Sequence, residues 1–304
     1  MTDLSVKIGS LTLKNPIMPA SGTFGPELAP LLDINRLGAL VPKSITVSAR
    51  DGNQTPRICE ADGGMINSIG IQSKGIDHYI AHTLPAYQDY EPPLIASISG
   101  ETIDEFEQLA AQLDKQPDVA ALELNISCPN LRDNGQAFGM SADATNQLLS
   151  TVREATDKPL IAKLTPNVTR IQDIAEAAER GGADALTVAN TFLAMAIDIE
   201  SRKPRIGNVM GGLSGAAVKP LIVRLIYQAH QATHLPIIGS GGVMNGQDAI
   251  EMILAGATAL QVGTATFIQP NAMNTITNEI SDYLTRHHIN AVTDLIGQVD
   301  IGQS

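Results

Sequence analysis

Tryptophan is absent from this chain, and tyrosine and phenylalanine occur five times each, so aromatic residues make up only 3% of 304 residues. A surface that holds nucleic acid by stacking bases on aromatic rings has too little material here. Basic residues are also scarce: 20 Lys and Arg stand against 32 Asp and Glu, a formal net charge of −12. The long-range field repels polyanions, and any anionic ligand has to be met by locally placed cations. Cysteine occurs twice, as Cys59 and Cys128. Two thiols exclude a disulfide framework, and they fall short of the four that an iron–sulfur cluster usually needs. There is no run of 18 or more apolar residues and no charged-then-apolar leader after Met1, so neither membrane spanning nor secretion is indicated and a cytoplasmic location is expected.

What the chain does have is 43% hydrophobic residues and 26 glycines, material suited to close packing of helices on a sheet. The length admits two average domains or one α/β barrel, and no linker or low-complexity stretch divides residues 1–304, so a single domain is expected. Short apolar runs recur at 16–21, 39–45, 94–99, 121–127, 159–165, 185–190, 236–242 and 259–265. Helical spacing lies between several of them, at 103–115 (Phe106, Leu109 and Leu113 on one stripe), 142–154, 171–180, 216–232 and 247–255. Eight strand-then-helix alternations predict a (β/α)8 TIM barrel. Residues 4–13 alternate around Gly9 and Ser10, which predicts an N-terminal β-hairpin closing the lower end. Connections 46–72, 129–140 and 191–212 are too long for ordinary turns, and long βα loops at the C-terminal mouth are where such barrels carry their chemistry.

Polar residues end otherwise apolar strands: Lys43, Asn125 and Ser127, Lys163 and Asn190. Burial there is costly without a partner, so two lysines point to an anionic ligand. The alternative is that each lysine meets a core carboxylate such as Glu123. Gly239, Gly241 and Gly242, then Gly263 and Thr264, follow strands seven and eight, the loops in which barrels bind phosphate through backbone N–H groups. Gly211, Gly212, Ser214 and Gly215 open a helix whose N-terminus favours anions. A nucleotide-like cofactor is expected on this side, although no G-x-G-x-x-G follows a strand. Cys128 follows strand four with a polar flank and Pro129. A lone Cys is commonly a small buried hydrophobe, but a thiol at the mouth, with a pKa of about 8.5 that nearby cations lower, suits a general base acting on a carbon acid. Cys59 has no such setting and is read as structural. His78 and His82 are four apart without a third ligand in reach of the spacing, and His287 and His288 end the last helix; both pairs read as surface histidines.

Residues 14–25 (KNPIMPASGTFG), 64–70 (GMINSIG) and 123–130 (ELNISCPN) resemble the dihydroorotate dehydrogenase family, and the likeness runs over nearly the whole chain. Residues 135–139 (GQAFG) and the stretch from Ala196 to Gly215 are most similar to the class 1B catalytic (FMN) subunit, less so to the fumarate-using class 1A. The membrane-bound class 2 is similar in its barrel but uses Ser as base. The resemblance implies FMN as cofactor and dihydroorotate as substrate, oxidised to orotate in pyrimidine biosynthesis. It implies FMN contacts at Ser21, Lys43, Ser44, Asn125, Lys163, Gly215, Gly241, Gly242, Gly263 and Thr264. Substrate contacts are implied at Lys43, Asn67, Ser68, Ile69, Gly70, Ile71, Asn125, Asn130, Asn190 and Thr191. Cys128 is the implied base toward C5, with Lys43 and Lys163 assisting, while hydride leaves C6 for the flavin. Ser97 stands where the family commonly has Asn, so an FMN contact there is expected to be shorter or water-mediated. The class 1B likeness further implies a partner subunit carrying FAD and a [2Fe–2S] cluster, NAD as final acceptor, and a homodimer at the centre of a heterotetramer. Readings left open are a class 1A-like enzyme, an FMN barrel acting on a related pyrimidine, and a non-catalytic barrel that binds a phosphate ligand and scaffolds a partner.

Overall fold

The computed structural model describes residues 2–127 and 137–302. Seven of the eight apolar runs form one parallel sheet, in the spatial order Ile17–Pro19, Ala257–Val262, Ile237–Ser240, Ala185–Val188, Leu160–Lys163, Val119–Asn125, Leu94–Ile98. These strands read as unbroken apolar runs because both of their faces are covered; every residue of Leu94–Ile98 and of Leu160–Lys163 is buried. The remaining run, 39–45, is not a continuous strand. It meets the sheet at two parallel bridges, Leu40 with Leu94 and Ile45 with Ile98. Pro42 lies between them and has no N–H to give a ladder. On its other side, Gly38 N donates to Ile17 O at 2.7 Å. The irregular segment therefore joins the first and last strands of the sheet and closes the TIM barrel.

Three of the outer helices start where a side chain satisfies an open N–H group. Thr102 Oγ1 accepts from Glu105 N at 3.2 Å ahead of Ile103–Asp114, whose Phe106, Leu109, Ala110 and Leu113 are buried. Ser141 Oγ accepts from Ala144 N at 3.4 Å ahead of Ala142–Glu154, which buries Thr145, Leu148, Leu149 and Val152. Asn245 caps Gly246–Leu254. The predicted helix 216–232 is split: Ala216–Val218 is a 3-10 turn, and Lys219–His230 is the α-helix, with Pro220 in its first turn. At the foot of the barrel Val6–Ile8 pairs with Leu11–Leu13, and Ile8 faces Leu11 across the two-residue turn. Gly9 has φ +57°, and a Cβ there would lie 3.0 Å from Asp184 Cβ, just below Ala185–Val188. The hairpin covers the lower end as its pattern predicts.

At the other end, two of the long connections build a structure that their sequences do not announce. Phe192–Ala194, Gly211–Ser214, Gly64–Asn67 and Ile58–Ala61 form a four-stranded antiparallel sheet in that order. Its strands are short and two of them begin with glycine, which permits the close approach. A Cβ on Gly64 would sit 2.0 Å from Ser214 O, and one on Gly211 would sit 2.5 Å from Asn67 O. Among the described helices none is long and apolar enough to cross a membrane.

Candidate active site

Strand periodicity sends alternate side chains into the barrel, and near the mouth four strands contribute one polar side chain each to a buried network. Lys163, 6% exposed, donates from Nζ to Gln261 Oε1 at 2.8 Å. Gln261 Nε2 donates to Glu123 Oε2 at 2.5 Å, and Thr187 Oγ1 donates to the same oxygen at 2.9 Å. Glu123 is fully buried, and its Oε1 lies 3.7 Å from Lys163 Nζ. Lys163 therefore does meet a core carboxylate, the alternative that strand-end position left open, while standing at the last position of its strand. Gln261 and Thr187 carry the same signal as Lys163, a polar residue within an apolar run, and sequence reasoning passed over both.

A second cluster stands at the ends of Val119–Asn125 and Ala185–Val188. Ser127 Oγ donates to Asn125 Oδ1 at 2.6 Å, and Asn190 Nδ2 donates to Asn125 Oδ1 at 3.2 Å and also to Ser127 Oγ. Thr191 N donates to Asn190 Oδ1 at 2.8 Å. Two asparagine amides are thus fixed in orientation half-buried at the mouth. Across the barrel, Ser21 Oγ lies 2.9 Å from Ser44 Oγ, which lies 2.9 Å from Ser97 Oγ. Ser97, expected to stand in for an asparagine, is buried and bonded to Ser44, so its hydroxyl supports that side chain. Lys43 is half-buried, and its stem crosses Gly22: a Cβ on Gly22, which has φ +85°, would lie 2.9 Å from Lys43 Cδ.

The expected anion-binding glycines gather round the start of Lys219–His230. Gly215, Gly241 and Gly242 have φ of +108°, +123° and +86°. A Cβ on Gly242 would come within 2.7 Å of Lys219 Cα and 2.8 Å of its N, and one on Gly215 within 2.6 Å of Gly64 Cα. Lys219 Nζ pairs with Asp248 at 2.8 Å and Glu251 at 2.7 Å, and hydrogen bonding to these carboxylates pushes its pKa up. Thr264 Oγ1 donates to Ser214 Oγ at 2.8 Å, tying the Gly263 turn to the mouth sheet. Asn67 ends one strand of that sheet, its Nδ2 donating to Gly212 O at 3.4 Å. Ser68, Ile69, Gly70 and Ile71 follow, half-buried. They pack against the Asn53 turn, with Asn53 N donating to Ile69 O at 3.0 Å and Asn53 Nδ2 to Ser68 Oγ at 2.8 Å.

Cys128 and Asn130 lie outside the described residues. Cys59 is half-buried in Ile58–Ala61, paired with Ile66 in the mouth sheet. The rings of His78 and His82 are 4.6 Å apart, and burial, then Lys74 and His82, hold the His78 pKa below its usual value. A cavity of about 850 Å³ opens at the foot of the barrel, lined by residues such as Val6, Gly9, His230 and Gly256, remote from the strand-end polar groups.

A family model described as "Dihydroorotate dehydrogenase" matches residues 3–284. Curated relatives carry the name "Dihydroorotate dehydrogenase B (NAD(+)), catalytic subunit". One from Desulforudis audaxviator is 50% identical, covering 96% of this chain and 96% of its own. One from Geotalea daltonii is 47% identical, covering 98% and 99%, and one from Bacteroides thetaiotaomicron is 44% identical, covering 99% and 100%.

Proposed function

Because this chain belongs to the dihydroorotate dehydrogenase family, we propose that it oxidises dihydroorotate to orotate in pyrimidine biosynthesis, as the FMN-bearing catalytic subunit of a class 1B, NAD-linked enzyme. The observation that carries the reading is the convergence, at one end of a closed barrel, of a buried lysine, two oriented asparagine amides and a glycine-lined helix start.

The residues present fit FMN. Gly241 and Gly242 turn through positive φ packed on Ile222 and Lys219, and Gly215 does so on Gly64; this bare turn would form a cradle, with Gly263 and Thr264, that holds the phosphate through backbone N–H groups. Ser21, Ser44, Lys43, Asn125 and Lys163 would hold the flavin. Held there, FMN would supply the acceptor for the hydride that leaves C6 of dihydroorotate. The chain's own work is positioning and proton transfer. Asn67, Asn125, Asn130 and Asn190 match the amide edges of the pyrimidine, with Ser68, Ile69, Gly70, Ile71 and Thr191 closing around it. Lys43 meets the substrate's negative charge, and Cys128 takes the proton from C5. Residues 1–304 act as one FMN-binding domain.

The partner follows from what the chain lacks together with its relatives' names. Two cysteines do not make a [2Fe–2S] site and no dinucleotide fingerprint follows a strand, so electrons reach NAD through a second subunit carrying FAD and such a cluster, around a catalytic homodimer in a heterotetramer. The exposed apolar side chains Leu193, Ile197 and Ile199 on the mouth excursion support association at that end. Anaerobic mixing of the FMN-loaded chain with dihydroorotate tests the reading. Bleaching of the flavin band is expected; an FMN-loaded chain that stays yellow contradicts it, and a chain that takes up no FMN favours a scaffold.

A further inference from the structure

The geometry points to Glu123 and Gln261 as positioning residues for Lys163, which together set how strongly this site favours reduced over oxidised FMN; the inference rests on the FMN reading above. Glu123 has no exposed surface, and a carboxylate there is costly to bury. Replacing a buried ion pair by well-packed apolar residues is often neutral or stabilising, so packing alone does not account for the group. Its hydrogen bonds are unequally shared. Oε2 receives both Thr187 Oγ1 and Gln261 Nε2, at 2.9 and 2.5 Å, while Oε1 is buried without a hydrogen bond and faces Lys163 Nζ at 3.7 Å.

That inequality has a consequence for direction. Gln261 has its amide nitrogen committed to Glu123, which leaves its Oε1 to receive Lys163 at 2.8 Å. Thr187 and Gln261 hold the carboxylate back, so the ammonium is seated by a neutral amide with the negative charge beside it. Lys163 thereby keeps N–H groups for the mouth, and Glu123 offsets part of the positive potential that a ligand meets there. Two opposite errors follow. Removing the negative charge exposes the flavin to more of the ammonium's field, which favours the reduced, more negative form. Removing the amide lets the carboxylate and ammonium close on each other, drawing positive charge away from the mouth.

The test is the midpoint potential of bound FMN, read by equilibrium reduction against a reference dye, in wild type, Glu123→Gln, Gln261→Leu and Thr187→Val, each first checked for FMN stoichiometry and thermal melting. Glu123→Gln is expected to raise the ratio of reduced to oxidised FMN affinity about tenfold, which for a two-electron couple is about 30 mV upward. Gln261→Leu is expected to move it down. Thr187→Val keeps both charges and nearly the same volume but releases one restraint on the carboxylate. It is expected to shift the potential down by less, so the inference remains testable if the other two fail to fold. Potentials equal to wild type in the folded variants, or shifts of one sign in Glu123→Gln and Gln261→Leu, overturn the inference. If wild-type FMN bleaches with dihydroorotate while the potentials stay fixed, only the inference falls; if the wild-type chain takes up no FMN, the functional reading falls with it.

Discussion

Gly242 is a position where one methyl group would be felt at once. Its φ of +86° is strained for any L side chain, and the new Cβ would press on the main chain of Lys219, whose side chain is held by Asp248 and Glu251. Gly242→Ala is expected to destabilise the protein by about 1–3 kcal/mol and to loosen FMN, measured by urea unfolding and by flavin lost on gel filtration; a variant that retains both is evidence against the cradle. The two cysteines are expected to separate sharply. Cys128→Ser should slow flavin reduction by dihydroorotate by orders of magnitude, since a hydroxyl is a far weaker base near neutral pH. Cys59→Ser, in the mouth sheet, should leave stopped-flow reduction nearly unchanged. Lys163, Asn125 and Asn190 stand out in the sequence because a polar side chain at the end of an apolar strand needs a reason, while Lys43 stands in an apolar run that the fold leaves irregular. Gln261 carries the same signal from inside its run and is easily overlooked, while Ser44 and Ser97 are named through the family resemblance and only the fold shows their hydroxyls in contact.

Amphipathic helices are the most readable elements. Ile103–Asp114, Ala142–Glu154 and Ile171–Arg180 stand where the spacing of their apolar residues places them, because a buried stripe is a local property of the sequence. Thr102→Ala is expected to cost about 1 kcal/mol of stability, seen as a lower urea midpoint at unchanged slope; an unchanged midpoint would show that the cap is replaced by water at no cost. The segment 39–45 has the composition of a strand but only two bridges, since Pro42 interrupts its ladder. The mouth sheet is not legible at all. Its register, Gly212 opposite Asn67 and Leu213 opposite Ile66, joins strands of four residues from separate excursions, and no local periodicity records a partner that distant.

For the whole molecule, barrel closure gathers polar residues from strands far apart in sequence at one end, while the hairpin covers the other. On the proposed reading, with two cysteines and no dinucleotide fingerprint in the sequence, electrons released by dihydroorotate pass to another protein. Supplied with dihydroorotate, the FMN-loaded chain alone is expected to turn over with an artificial dye and not with NAD. Brisk NAD reduction without a partner contradicts the subunit assignment, and brisk fumarate reduction moves the chain to class 1A. The mouth sheet also makes a statement about time. Gly64–Asn67 and Gly211–Ser214 share one ladder, so neither excursion can expose its paired amides while the other stays closed. Their backbone protons should trade with deuterated solvent at one common opening rate, and a ligand seated beneath should slow both excursions by the same factor.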